Sequence, residues 1–268
     1  MLLCLSSNPK KSMKRIQAIK ALLYIVSLSV PWGVQGAESV SELMKQGEVY
    51  DLKFQPTEAL TFYLPAEKME PNNVPLLLCI ARQYRHLMAD ASDASEKMRL
   101  GGIGKSYAQR AVTLAPKDSE AYLSVAIGNA KMIPLLGKKA QMEASRDVKT
   151  AVDKSISLDC HKDLAWHILG CWNQRLADIG TVKRTLAQMF YGKVPEATNE
   201  EAVKCFQEAI KLNPKRPIHF IELGRTYAKM GQTAVARVYI KRGLAMPNIG
   251  KDDPAVKQSG RETLATLQ

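Results

Sequence analysis

The sequence predicts an all-α fold, a superhelix of about five helix-turn-helix repeats followed by a C-terminal capping helix. Two observations predict it. From Val40 onward, aromatic, Leu-Gly and small residues recur about every 34 residues or at somewhat longer intervals, and proline closes several of the segments. No segment alternates apolar and polar residues with a period of two for long enough to predict a strand. The 268 residues, 46% of them hydrophobic and 24% charged, have the composition of an ordinary globular protein.

The clearest copy of the repeat lies in the last third of the chain. The spacing of residues in EAVKCFQEAIKLNP (201–214) is that of the second helix of a tetratricopeptide unit, with Phe206 as its aromatic residue. Small residues let two helix backbones cross closely, and proline ends a helix because it cannot continue one. The residues that occupy the repeat positions of this copy are Ala202, Phe206, Ala209, Pro214, Phe220, Leu223, Gly224, Tyr227, Ala236, Ile240 and Gly243.

The same register, extended backwards, divides the rest of the chain into units. The pairs Gly47 with Tyr63 and Leu169 with Gly170 occupy repeat positions there. The second, third and fourth units are longer than the first, which predicts lengthened helices or short extra elements, with breaks at Pro134 and Gly137 and at Gly192 and Pro195. We therefore expect a tetratricopeptide-like domain over 38–268, with units at 40–73, 74–118, 119–162, 163–216 and 217–250 and a capping helix at 253–267.

Residues 1–37 predict a signal peptide or an N-terminal anchor. The apolar run 21–34 is shorter than the roughly 20 residues of a membrane-spanning helix and fits the apolar region of a signal peptide. Translation could start at Met1 or Met13. Export to the periplasm or the exterior is expected; the alternatives are a membrane anchor through 21–34, or a mitochondrial or cytoskeletal location in a eukaryote. The basic residues beside the run are Lys10, Lys11, Lys14, Arg15 and Lys20.

The charge of the chain favours an acidic partner. The net charge is +12, and without residues 1–37 the remaining 33 basic and 26 acidic residues leave +7. The first helix of each repeat lines the concave surface of such an array, and acidic residues there are few: Glu48, Asp51 and Glu120. The predicted partner-binding groove consists of Arg82, Arg85, His86, Lys131, His167, Arg175, Arg225 and Lys229.

Two interpretations of these groove residues remain open. They form a basic concavity that binds an acidic protein or peptide segment, or they are an ordinary scatter of charges on solvated helix faces. Nucleic acid is not expected, because no aromatic residues are interleaved with the charges for base stacking.

No catalytic or cofactor-binding motif is complete in the sequence. Gly101–Ser106, GGIGKS, ends like a phosphate-binding loop, but Arg99 stands where that loop needs glycine. The four histidines have no zinc spacing, and no GxSxG sequence or Cys/His pair indicates a nucleophile. We therefore expect no enzyme, cofactor or metal. Cysteines 79, 160, 171 and 205 are expected to be buried thiols; up to two disulfides are the alternative.

Three segments of the C-terminal half resemble the regulator of microtubule dynamics family. They are HKDLAWHILGCWNQRLADI (161–179), YGKVPEATNEEAVKCFQEAIKLNP (191–214) and IELGRTYAKMGQTAVARVYIKRGLAMPN (221–248). The resemblance implies an all-helical array that binds partners, with no catalytic motif. It also implies an alternative function, microtubule association or tethering at membrane contacts, with tubulin or anionic lipid as partner. The basic leader is typical of a bacterial exported member.

Overall fold

The computed structural model describes residues 38–179 and 196–267; the predicted leader and the predicted break at Gly192 and Pro195 lie outside these ranges. Eleven α-helices and a short 3-10 helix, Ile133–Leu135, account for most of the described residues. The α-helices are α1 Val40–Asp51, α2 Pro56–Met69, α3 Val74–Asp90, α4 Ala94–Leu114, α5 Ser119–Met132, α6 Lys138–Leu158, α7 Asp163–Ala177, α8 Asn199–Leu212, α9 Pro217–Lys229, α10 Thr233–Ala245 and α11 Asp253–Thr266.

Consecutive helices pair as five hairpins, α1/α2, α3/α4, α5/α6, α7/α8 and α9/α10, and each hairpin packs against the next. The last helix, α11, packs on α9 and α10 and covers the end of the array. The predicted fold class, an all-α repeat superhelix with a capping helix, is thereby confirmed. None of the described helices is both long and apolar enough to span a membrane.

The repeat pattern brings a glycine of one helix against a large residue of its hairpin partner. A Cβ atom on Gly47 would stand 2.3 Å from the ring of Tyr63, and one on Gly170 would stand 2.7 Å from the ring of Phe206. Such distances are far below van der Waals contact, so only glycine permits these helix crossings. The two rings are almost completely buried.

In the second and third hairpins the additional residues lengthen the second helices, α4 and α6. Helix α4 has 21 residues and contains Gly101–Ser106 in its middle, where the backbone N–H groups take part in helical hydrogen bonds. A Cβ atom on Gly104 would lie 3.2 Å from the carbonyl oxygen of Ala81, so this glycine is a packing residue. The GGIGKS segment is therefore part of a helix and has no geometry for cradling a phosphate.

Candidate functional site: the concave surface

The first helices of successive hairpins touch one another and form the inner layer of the superhelix: α3 contacts α5, α5 contacts α7, and α7 contacts α9. Polar side chains join these helices. Arg85 Nη1 donates a hydrogen bond to Ser124 Oγ at 2.8 Å, and Gln174 Nε2 donates one to Thr226 Oγ1, also at 2.8 Å. All four of these side chains are buried, so the floor of the concave surface is polar.

Two of the predicted groove cations pair with carboxylates of the N-terminal and C-terminal parts of the chain. Arg82 Nε lies 2.9 Å from Asp51 Oδ2, and Lys131 Nζ lies 2.6 Å from Asp252 Oδ1. The side chains of Arg82 and Lys131 keep 43% and 26% of their surface exposed. Both cations thus remain accessible while their charge is compensated.

Two further groove cations are paired in the same manner near α9. Arg225 Nη1 lies 2.6 Å from Glu222 Oε1, and Lys229 Nζ lies 2.6 Å from Asp178 Oδ2. Each of these cations is 30% exposed. The concave surface therefore carries a row of ion pairs with partly exposed cations, where the sequence predicted a groove that is basic through most of its length.

Arg175 and Arg85 differ from these four. Arg175 is exposed, and no ion pair joins it to another described residue. Arg85 is only 8% exposed, and its hydrogen-bond partner among the described residues is the Ser124 hydroxyl, with no carboxylate in contact. Burial and the neighbouring Arg82 lower the pKa of Arg85 to about 10, so the guanidinium stays charged at neutral pH.

His86 contributes no charge at neutral pH. Its ring packs edge-on against Phe54, with 6.1 Å between ring centroids, and its buried Nδ1 has no hydrogen-bond partner within the described part of the chain. Burial lowers the pKa of His86 to about 4, below that of an exposed histidine.

His167 is not a surface residue, which corrects its place in the predicted groove. It is 7% exposed and lies between α7 and α9, where its ring packs against Phe206. Its Nδ1 lies 3.1 Å from Nδ1 of His219, and its Nε2 lies 3.5 Å from Sγ of Cys171. Both ring nitrogens are engaged in the interior, so a ligand on the concave surface has no access to them.

His219 also contacts Asp163. Oδ2 of Asp163 lies 2.9 Å from Nε2 of His219 and 2.7 Å from Nε of Arg216. We call Cys171, His167, His219 and Asp163 the buried histidine chain. Although burial alone would raise it, the pKa of Asp163 is held below its usual range by the His219 hydrogen bond and by Arg216. The carboxylate is therefore ionised and accepts a hydrogen bond from the N–H group of His219.

The proton assignment of the buried histidine chain follows from that acceptor. Burial lowers the pKa values of both His219 and His167, so each ring is neutral at pH 7 and carries one N–H. His219 Nε2–H donates to Asp163, His167 Nδ1–H donates to His219, and the Cys171 thiol donates to His167. Burial raises the pKa of Cys171, which favours the thiol. Every group is satisfied, and the chain is structural.

Cysteines 79, 160, 171 and 205 are free thiols in the structure, and of these only Cys160 is exposed. No group of three or more His, Cys, Asp and Glu side chains in residues 38–179 and 196–267 has the geometry of a metal site. A pocket of about 420 Å³ lies between α1 and α3. Its lining includes Lys45, Glu48, Tyr63, Cys79 and Arg82, so it adjoins the Arg82–Asp51 ion pair.

With this geometry established, comparison with known proteins identifies the family. The regulator of microtubule dynamics protein 1-3 family matches residues 38–268. The chain belongs to this family. The resemblance of its C-terminal half therefore extends over the whole array.

Curated members of the regulator of microtubule dynamics family are distant relatives in sequence. Protein 1 of Mus musculus is 24% identical over 236 residues, which cover 87% of this chain and 77% of the mouse protein. Protein 3 of Bos taurus is 24% identical over 237 residues, which cover 86% of this chain and 50% of the bovine protein. This member therefore spans only half the length of the bovine one.

Two solved structures superimpose on most of this family member. A thermophilic TPR protein of Thermus thermophilus superimposes with a TM-score of 0.61 at 13% identity, covering 85% of this chain and all of the other. The type IV pilus biogenesis factor PilW superimposes with a TM-score of 0.54 at 17% identity, covering 85% and 87%. These likenesses support the helical-repeat fold.

Sequence reasoning missed three carboxylates of the concave surface. Glu222 precedes Arg225 by three residues on α9, and this i,i+3 spacing was a usable signal for an ion pair. Asp178 follows the end of α7, and Asp252 belongs to the loop before α11. Their partners, Lys229 and Lys131, are brought to them by the stacking of hairpins, which local spacing does not reveal.

Proposed function

We propose that this chain is a non-enzymatic protein–protein interaction scaffold that binds an acidic segment of a partner protein on its concave surface. The supporting observation is the row of ion pairs with partly exposed cations, Arg82 with Asp51, Arg225 with Glu222 and Lys229 with Asp178, beside the exposed Arg175, which forms no ion pair with another described residue. The helical-repeat fold supports the scaffold role, because stacked hairpins present a continuous surface to a segment of another protein.

When an acidic segment binds on this surface, its carboxylates replace the internal carboxylates that pair with the cations. Both side chains of the Lys229–Asp178 pair are partly exposed. Such pairs contribute only about 0–1 kcal/mol, so a partner carboxylate replaces Asp178 at little cost. Arg175 offers a charge that no carboxylate of the described residues has to release first. A partner with several acidic side chains gains at each exchange and is also drawn to the surface during diffusion.

Charge reversal tests the proposal. In the full chain, Arg175→Glu together with Lys229→Glu is expected to weaken the binding of a fluorescent glutamate-rich peptide about tenfold, measured by anisotropy at low salt. The matched control is Lys204→Glu with Lys241→Glu, which makes the same change on exposed positions of the second helices α8 and α10. Equal weakening by both pairs of substitutions would contradict a site on the concave surface.

Family membership favours one alternative, a microtubule-associated or membrane-contact tethering protein. In that function the same cations meet the acidic tails of tubulin or anionic lipid headgroups. Co-sedimentation of the full chain with microtubules, and separately with phosphatidylserine vesicles, distinguishes these partners from an acidic peptide. Retention on microtubules that is lost with Arg175→Glu and Lys229→Glu would favour this alternative.

We also propose that the protein is exported. The support is the basic segment and short apolar run of residues 1–37. N-terminal sequencing of the protein from its native host is expected to find a chain that starts near Glu38. An intact N-terminus would favour an anchor through residues 21–34.

A further inference from the structure

The loop between α10 and α11 reaches across the concave surface to the second and third hairpins. Lys251 Nζ lies 2.8 Å from Asp90 Oδ1 at the end of α3, and Lys131 Nζ of α5 lies 2.6 Å from Asp252 Oδ1. In the first contact the two residues are 161 positions apart in the sequence, and in the second they are 121 positions apart. We call residues 249–253 the bridging loop.

The two adjacent aspartates of the bridging loop have different roles. Asp253 is 1% exposed, and its Oδ2 accepts hydrogen bonds from the backbone N–H groups of Ile249 and Gly250, at 2.6 and 2.8 Å. Asp253 therefore builds the loop. Asp252 makes no capping hydrogen bond to α11, its side chain is 48% exposed, and its one ion pair among the described residues is with Lys131. The loop does not need Asp252 for its own conformation.

Near the bridging loop lies Arg85, the most deeply buried cation of the predicted groove. Arg85 has five N–H donors, and the hydrogen bond to Ser124 uses one of them. A buried charge without a carboxylate partner costs free energy, which a carboxylate nearby recovers. Asp252 is among the charges that act on Arg85, and also on His86, so its carboxylate lies within electrostatic range of both side chains.

We propose that Lys131, with the buried charge of Arg85 nearby, forms a carboxylate-binding subsite for the acidic partner segment, and that Asp252 occupies this subsite until the partner displaces the bridging loop. The inference rests on the proposed function, because it specifies where one partner carboxylate binds. Its chemistry is that of an Asp or Glu side chain or a chain-terminal carboxylate, which pairs with the Lys131 ammonium group and is attracted by the Arg85 guanidinium. Asp252 therefore competes with the carboxylate of the partner for this subsite.

Substitutions in the loop separate displacement from simple charge effects. Asp252→Asn vacates the subsite and is expected to tighten the binding of a fluorescent glutamate-rich peptide to the full chain about fivefold. Asp178→Asn, the matched control, removes one negative charge and frees Lys229 at the other end of the surface; it is expected to tighten binding about twofold at most. Arg85→Met added to Asp252→Asn should return the affinity to that of the wild type, with circular dichroism confirming the fold.

Lys251→Met is the sharper test, because charge and displacement predict opposite results. The substitution removes a positive charge and leaves Asp90 unpaired, so charge alone predicts weaker peptide binding. Release of the bridging loop predicts binding about twofold tighter. Weaker binding by Lys251→Met, or equal gains from Asp252→Asn and Asp178→Asn, would overturn the subsite and leave the proposed function standing. Absence of peptide binding by the wild type and all variants would overturn both.

Discussion

Between α3 and α5 the inner helices are joined through a buried cation, whereas between α7 and α9 they are joined through two neutral histidines and an ionised carboxylate that satisfy one another. Arg85 meets a single hydroxyl. In the buried histidine chain, each of His167 and His219 has both ring nitrogens engaged. We call the α7/α9 interface complete, because its histidines have hydrogen-bond partners at both ring nitrogens. The α3/α5 interface is incomplete, because Arg85 retains N–H donors that a ligand can use.

The largest expected effect is at the complete interface. Asp163→Asn removes the ionised acceptor of His219 and the partner of Arg216, which is itself only 22% exposed. Removing one member of a buried pair leaves the other charge uncompensated, so we expect a loss of about 3 kcal/mol in the free energy of unfolding, measured in urea. Asp51→Asn is the matched change at the N-terminal end, where Arg82 is 43% exposed, and is expected to cost about 1 kcal/mol. Equal losses would contradict the comparison.

Acidification is expected to have the next largest effect. Burial lowers the pKa of His86 to about 4 and also lowers the pKa values of His167 and His219, so below pH 6.5 the unfolded chain binds protons that the folded chain does not. Stability is therefore lost as the pH falls from 6.5 toward 4. Between pH 7.5 and 5.5 we expect a loss of about 1 kcal/mol from His86 and a further loss from His167 and His219, measured by urea unfolding at each pH.

His86→Gln divides this pH dependence between the two regions. It should remove the loss that belongs to His86, about 1 kcal/mol, and leave the part that belongs to the buried histidine chain. If it removed the whole pH dependence, His167 and His219 would not have the lowered pKa values that their burial implies.

A smaller effect is expected at the incomplete interface. Arg85→Met replaces a buried cation by an apolar side chain of similar length, and we expect the free energy of unfolding to stay the same or to rise by about 1 kcal/mol. Gln174→Met is the matched substitution between α7 and α9. It should lower the free energy of unfolding by about 1 kcal/mol, because it removes the hydrogen bond from Gln174 to Thr226. A large loss with Arg85→Met would show that Arg85 has a structural role.

The smallest effect is expected at the exposed ion pairs. Asp178→Asn removes the partner of Lys229, and both side chains are partly exposed. The expected change in the midpoint of urea unfolding corresponds to less than about 0.5 kcal/mol. A loss near that of Asp163→Asn would mean that the concave ion pairs hold the hairpins together and are not available for exchange.

The repeat register made much of the fold predictable, because a helical hairpin has one close crossing and the sequence marks it. Gly47 with Tyr63 and Gly170 with Phe206 could be assigned to such crossings without coordinates. The candidate site was less predictable. The contact of Lys131 with Asp252 depends on the curvature of the whole superhelix, and the burial of His167 depends on how α9 packs over α7. Neither the curvature of the superhelix nor the packing of α9 over α7 can be predicted from the spacing of residues within one repeat.

The bridging loop also changes how the array unfolds. In a stack whose units contact only their neighbours, stability is close to a sum of local terms, and the ends fray independently. Here Lys251 and Asp252, which follow the fifth hairpin, contact Asp90 and Lys131 of the second and third. Opening of the C-terminal end must break these contacts, so the loop links the fraying of that end to the second and third hairpins.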